Sequence, residues 1–131
     1  MMPSQRVHEF MSTDVVVVRP EASVLEAVAL LLEERVTGLP VVNEAGALVG
    51  ILTEQDCLRV AFQDGYYQGP GRTVAQAMTP DPHTLDADAD MMTAIELFLK
   101  RPFRRFPVMK NGALVGILSR RDALRMIKEQ A

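Results

Sequence analysis

Two short stretches pair a hydroxyl with an aspartate three places on. They are Thr53-Glu54-Gln55-Asp56 and Ser119-Arg120-Arg121-Asp122, and each directly follows the same apolar run, Ala-Leu-Val-Gly-Ile-Leu, at residues 47–52 and 113–118. Ser or Thr at a helix cap with Asp in the first turn satisfies free backbone N–H groups, so capping alone accounts for the pattern. The same carboxylate, held ionised by the positive end of the helix dipole, can accept hydrogen bonds from both hydroxyls of a ribose, and the helix start favours an anion nearby. Arginine forks suit phosphate oxygens, and Arg104, Arg105, Arg120 and Arg121 are at hand.

Other chemistries find little support. His8 and His83 lie far apart in sequence, and Cys57, the single cysteine, has no cysteine partner at metal-ligand spacing. Cys57 reads as a small buried hydrophobe. Asp81, Asp86, Asp88 and Asp90 resemble a cation cluster, but Asp90 suits a helix N-cap and the rest precede a helix start, where negative charge is favourable. No Ser-His-Asp or Cys-His set can be assembled, and no Gly-rich phosphate loop with Lys-Ser/Thr is present, so nucleotide binding here would not imply hydrolysis. The reading is that the chain is not an enzyme.

The elements that must position these residues come as a repeat. Sliding the chain by 67 positions aligns Val7 with Val74, Met11 with Met78, Ala27 with Ala94 and Pro40 with Pro107. After one deletion before Gly112, an offset of 66 aligns Gly50, Asp56 and Arg59 with Gly116, Asp122 and Arg125. The boundaries expected are unit one at 1–63, a linker at 64–73 rich in Gly and Pro, and unit two at 74–131. Within a unit, residues 15–18 form a β-branched run suited to a buried strand, and Ser23 with Glu26 starts a helix. Val24, Leu25, Val28, Leu31 and Leu32 mark its apolar face, matched by Met91, Met92, Ile95, Phe98 and Leu99 in the second copy. Residues 39–42 and 47–52 form a hairpin across Asn43-Glu44-Ala45-Gly46, and a second helix follows from Glu54. Pro102 stands where the first copy has Arg35 and should end its helix sharply. Tyr66 and Tyr67, in the linker, either fold over the core or meet a ligand or partner.

Bulk properties agree with a compact, mixed α/β (α+β) protein. The 131 residues are 48% hydrophobic, and the net charge of −3 is spread along the chain, which argues against binding nucleic acid through bulk phosphate attraction. No segment is apolar enough to span a bilayer, residues 1–9 do not read as a secretory signal, and a lone cysteine needs no oxidising compartment, so the expected location is the cytoplasm.

A Met-Ser/Thr lead-in (Met11-Ser12, Met78-Thr79), a Pro-centred strand, an apolar strand containing Val-Gly-Ile and a Ser/Thr-x-x-Asp ending, in order and twice, resemble a tandem pair of cystathionine-β-synthase (CBS) domains. The resemblance implies two βαββα units related by a pseudo-twofold axis, packed through their sheets, with two clefts that take adenosine derivatives such as AMP, ADP, ATP or S-adenosylmethionine. Carried onto this sequence, one cleft joins Ser119 and Asp122 to Val16, Val36 and Thr37, and the other joins Thr53 and Asp56 to His83, Phe103 and Arg104. Arg104, Arg105, Arg120 and Arg121 surround the first, whereas the second has Glu54 and Gln55 as spacers. The first is therefore expected to hold a phosphorylated adenine nucleotide, and the second to bind weakly or prefer a less anionic ligand. The rival reading makes the arginines an ordinary solvated face. No cofactor is required beyond this regulatory ligand. The resemblance also implies a homodimer, and with no effector domain expected beside the two units, the regulated target is expected to be a separate protein or the second copy. The alternative is a structural or dimerisation module with degenerate clefts.

Overall fold

A computed structural model describes residues 5–65 and 71–130. Tyr66 and Tyr67 lie outside the described residues. The chain divides into two compact units, Val16–Pro82 and Met1–Val15 with His83–Ala131. These units are not the sequence repeats. Each repeat's lead-in segment belongs to the unit built mainly by the other repeat.

In the unit Val16–Pro82 the order is α1 (Val24–Glu34), β1 (Gly38–Val42), β2 (Leu48–Thr53), α2 (Glu54–Asp64), α3 (Val74–Ala77) and β3 (Thr79–Pro80). The sheet order is β1-β2-β3, antiparallel throughout. The hairpin turns where expected, with Gly46 at φ +87 and the Asn43 side-chain oxygen accepting from Ala47 N at 2.9 Å. Leu39, Val41 and Leu52 are fully buried with Ala27 and Val74, so the core takes in a residue from the second repeat's lead-in.

In the other unit a 3₁₀ turn at Val7–Glu9 precedes β4 (Leu85–Asp86), α4 (Met91–Lys100), β5 (Arg105–Lys110), β6 (Ala113–Ser119) and α5 (Arg120–Gln130). Its sheet runs β4-β5-β6. Val7, from the first repeat's lead-in, is fully buried among Met91, Phe106, Val108 and Leu118.

The glycine of each core strand explains how the lead-in docks. A Cβ on Gly50 would sit 2.5 Å from Met78 Sδ and 2.9 Å from the Thr79 carbonyl, and one on Gly116 would sit 2.5 Å from Met11 Sδ and 2.8 Å from the Ser12 carbonyl. The Met-Ser/Thr segment thus lies across the bare backbone of Val-Gly-Ile in both units. In one it is strand β3, and in the other a single bridge between Ser12 and Ile117.

Two expectations need correction. Residues 15–18 do not form a strand: only Val18 pairs, in a parallel bridge to Val41, and Val17 is 40% exposed. Residues 82–84, the equivalents of 15–17, are likewise outside any strand. The copies differ one step on: Ala87 N–H donates to Met109 O at 2.9 Å and completes the two-residue strand β4, whereas Pro20, at the equivalent position, has no N–H to give and leaves a single bridge. The apolar helix stripe is also wider than the core needs, since Leu25 and Leu32 are 71% and 74% exposed beside buried Val24, Ala27 and Leu31. Pro102 acts as expected. α4 stops at Lys100 with Arg101 extended, whereas α1 runs on to Glu34 and closes through left-handed Arg35 at φ 56.

Candidate functional site

Both Ser/Thr-x-x-Asp segments sit where a core strand passes directly into a helix. Thr53 is the N-cap of α2: its Oγ1 accepts from Asp56 N at 3.1 Å, and Thr53 N donates to Asp56 Oδ2 at 2.9 Å. Ser119 and Asp122 exchange the same two bonds, at 3.2 and 2.7 Å. One turn on, Arg59 Nη1 reaches Asp56 Oδ1 at 3.0 Å, and Arg125 Nη1 reaches Asp122 Oδ1 at 3.0 Å. The capping account holds in both copies.

These are the two buried charged side chains among the described residues, Asp56 at 4% and Asp122 at 6% exposure. Burial of a carboxylate is tolerable only when it is paired and hydrogen-bonded, and the arginine one turn along with the capping N–H supplies both. The pairing leaves acceptor capacity unequal. An ionised carboxylate has about four acceptor positions. Asp56 takes bonds from Thr53 N, Arg59 and, at 3.5 Å, the Thr79 hydroxyl, whereas Asp122 takes them from Ser119 N and Arg125.

The loops before the Pro-centred strands are tied to these helix starts within each unit. Thr37 O accepts from Glu54 N at 3.0 Å, holding Thr37 and its neighbour Val36 beside the Thr53 cap, and Val16 packs half-buried on the same unit's core. Arg104 O accepts from Arg120 N at 3.0 Å, so Arg104 stands beside the Ser119 cap. Arg104, Arg120 and Arg121 are exposed and Arg105 is half-buried. The His83 and Phe103 rings lie 5.8 Å apart, and Phe103, 43% exposed, meets Phe106 edge-on at 5.9 Å. Val16, Val36, Thr37, Thr53 and Asp56 therefore belong to one unit, and His83, Phe103, Arg104, Ser119, Arg120, Arg121 and Asp122 to the other. Each cleft expected from the sequence draws on residues of both.

Two contributors escaped the sequence reading. Thr79 was visible only as part of a lead-in, and its hydroxyl is the third donor to Asp56. Arg59 and Arg125 were aligned as repeat equivalents without a role, although Asp-x-x-Arg at helical spacing, present twice, signals an i,i+3 ion pair. Cys57, buried as expected next to Asp56, has its thiol pKa raised, first by burial and then by the charges of Asp56 and Glu54. No group of three or more His, Cys, Asp or Glu among the described residues is placed to hold a metal, and no helix there is long and apolar enough to cross a membrane.

A model of the CBS domain matches residues 7–62 and again residues 74–129. The chain belongs to the CBS domain family. Among relatives, the CBS domain-containing protein CBSX2, chloroplastic, of Arabidopsis thaliana is 31% identical over 95% of this chain and 60% of its own length. The chain thus spans about three fifths of that relative, and a similar share (62%) of CBSX1 from the same plant. The crystal structure of CBSX2 in complex with AMP superposes with a TM-score of 0.85 at 35% identity, covering 95% of this chain and 97% of that one. The CBS domain pair of protein MJ0100 in complex with 5′-methylthioadenosine and S-adenosyl-L-methionine gives 0.84 at 25% identity, covering 98% and 100%. The mixed helix-and-strand fold with two three-stranded sheets is that of a CBS pair.

Proposed function

We propose that the chain is a regulatory CBS pair that binds an adenosine derivative and acts on a separate partner protein. The carrying observation is the duplicated strand-to-helix junction with its buried, hydrogen-bonded aspartate, which retains acceptor positions for ribose hydroxyls after its capping bonds are made. The AMP complex of CBSX2 and the 5′-methylthioadenosine and S-adenosyl-L-methionine complex of MJ0100 support this ligand class.

The main cleft joins Ser119 and Asp122 to Val16, Val36 and Thr37, with Arg104, Arg120 and Arg121 as phosphate contacts. Its ligand is a phosphorylated adenine nucleotide, AMP, ADP or ATP, because Asp122 keeps more acceptor capacity than Asp56 and its helix starts on two exposed arginines. The second cleft, with Thr53, Asp56, His83 and Phe103, binds weakly or takes a less anionic ligand. The ligand regulates by differing in affinity for two arrangements of the protein, with no turnover and no further cofactor. The protein works as a homodimer in the cytoplasm, without membrane insertion or nucleic acid.

The experiment is a thermal-shift screen. A ligand that binds only the folded chain raises the melting temperature by mass action, and at a hundredfold excess over Kd the stabilisation is about 2.7 kcal/mol. AMP, ADP or ATP should raise it in a dose-dependent way. The second reading, a dimerisation module with non-binding clefts, is favoured by the low exposure of both aspartates, and it gains if no adenine compound shifts the transition.

A further inference from the structure

Each core strand has one position without a side chain, and in each unit a thioether fills it. Met78 lies over Gly50 and Met11 over Gly116, each sulfur 2.5 Å from where a Cβ on the glycine would stand. Both contacts lie within a single unit. Both methionines are half-buried at the margin of their cores, so a dissolved oxidant can reach them, whereas Met91 and Met126 are buried at 1% and 6% exposure. Met92 is 66% exposed on α4, and Met109 belongs to a strand paired on both sides, so neither is the anchor of a loosely held segment.

Little beyond the sulfur keeps each Met-Ser/Thr segment down. β3 is a two-residue strand at the sheet edge, and its counterpart is the bridge in which Ser12 and Ile117 exchange bonds of 2.9 Å. Upstream the hold is firm: Val74 and Val7 are fully buried, and their carbonyls accept from Met78 N at 2.8 Å and Met11 N at 3.1 Å. Pairing this short opens locally at far lower cost than global unfolding. A change at the sulfur can therefore free the segment while the unit stays folded.

We propose that Met78 and Met11 are reversible oxidation sites, and that sulfoxide formation releases the Met-Ser/Thr segment from the glycine of its core strand. A sulfur lone pair attacks one oxygen of hydrogen peroxide; the S–O bond forms as the O–O bond breaks, and the other oxygen leaves as water. The sulfur loses two electrons and the peroxide gains them. The product is polar, chiral and bulkier, set against backbone that has no room for a Cβ. Release has unequal consequences. Thr79 withdraws its hydroxyl from Asp56, 3.5 Å away, and returns an acceptor position to that carboxylate, whereas Asp122 takes its bonds from Ser119 and Arg125 and keeps them. The meaning of that freed acceptor rests on the ligand reading above, and the release itself does not.

The test titrates hydrogen peroxide into the folded chain without any nucleotide, so that its outcome is independent of ligand binding. Peptide mass spectrometry maps the oxidation. Amide exchange by NMR is read at Ser12 and Ile117, which bond each other, and at their repeat equivalents Thr79 and Ile51. Met78 and Met11 should gain one oxygen before Met91 and Met126 do, and exchange at the four amides should quicken about tenfold or more. Methionine sulfoxide reductases of both epimer specificities, with dithiothreitol oxidised to its disulfide as the oxygen leaves as water, should restore the slow exchange. Met92→Leu should leave the response unchanged, and Met11→Leu/Met78→Leu should abolish it. If leucine does not seat over the glycines, exchange is fast before peroxide is added, and reversal by the reductases in the wild type decides. Met11 and Met78 staying intact until the chain unfolds, sulfoxides that leave exchange unchanged, or faster exchange that the reductases do not reverse would each overturn the proposal.

Discussion

Asp56 and Asp122 have two duties, and substitution can separate them. Removing either carboxylate deletes a cap and leaves Arg59 or Arg125 without its partner, so Asp56→Ala and Asp122→Ala should each cost about 1–2 kcal/mol in urea denaturation. Arg120 and Arg121 are exposed and make no side-chain bond to the cap, so Arg120→Ala/Arg121→Ala should change stability by less than about 0.5 kcal/mol while weakening ATP more than adenosine in a competition assay. Equal loss for both ligands would remove the arginines from phosphate recognition. Cys57 gives a pH-dependent expectation. Burial and the neighbouring carboxylates raise its thiol pKa, so the native thiol stays neutral above the usual value of 9.0. In the folded state it should alkylate at pH 8 more than about tenfold slower than in urea. The sign for stability is that the folded state holds its proton more tightly than the unfolded one. Stability is therefore full below the unfolded pKa and declines as pH rises through the folded one, a decline that Cys57→Ala should lessen. The hydroxyl and carboxylate pairs were legible as residues, because their spacing fixes a capping turn. Thr79 was not, since its contact with Asp56 spans 23 residues and follows from the fold alone.

Secondary structure was mostly written in the local pattern. The hairpin of β1 and β2 follows from two apolar runs around Asn43 and Gly46, and α4 ends where Pro102 requires. The exception is instructive. Residues 15–18 have strand composition, yet 15–17 pair in neither copy, and the bridge at Val18 does not grow into a strand as it does at Leu85–Asp86 because Pro20 lacks the backbone donor that Ala87 supplies. The core strands make a sharper expectation. Ala at Gly50 or Gly116 must displace a methionine and also push on a backbone carbonyl that has no rotamer to escape into. Gly50→Ala and Gly116→Ala should each destabilise by about 1–3 kcal/mol in urea, and a paired Met78→Ala should relieve only part of the Gly50 loss. A neutral Gly50→Ala would show that the Met78-Thr79 segment is not docked there.

For the whole molecule the repeat specified the family, the elements and the two junctions. It could not specify which copy each lead-in segment would cover, because an internal alignment shows equivalence and carries no information on contact. Val7 and Val74 align with each other, and each is buried in the core built by the other's repeat. The same limit applied to the helix faces. Leu25, Leu32, Met92 and Leu99 read as core from periodicity, and their exposure is what makes an outer apolar surface. Function at this scale turns on the difference between two nearly identical junctions: Thr53-Glu54-Gln55-Asp56 with its third donor, and Ser119-Arg120-Arg121-Asp122 with its arginines. Calorimetric titration of AMP, ADP and ATP into the wild type and Asp122→Ala, with Asp56→Ala as the matched loss of a cap, measures that difference directly. Saturable binding to the wild type, weakened at least about tenfold by Asp122→Ala and less by Asp56→Ala, is the outcome expected from a carboxylate hydrogen-bonded to ligand hydroxyls. Unchanged affinity in Asp122→Ala would contradict the assignment of the main cleft.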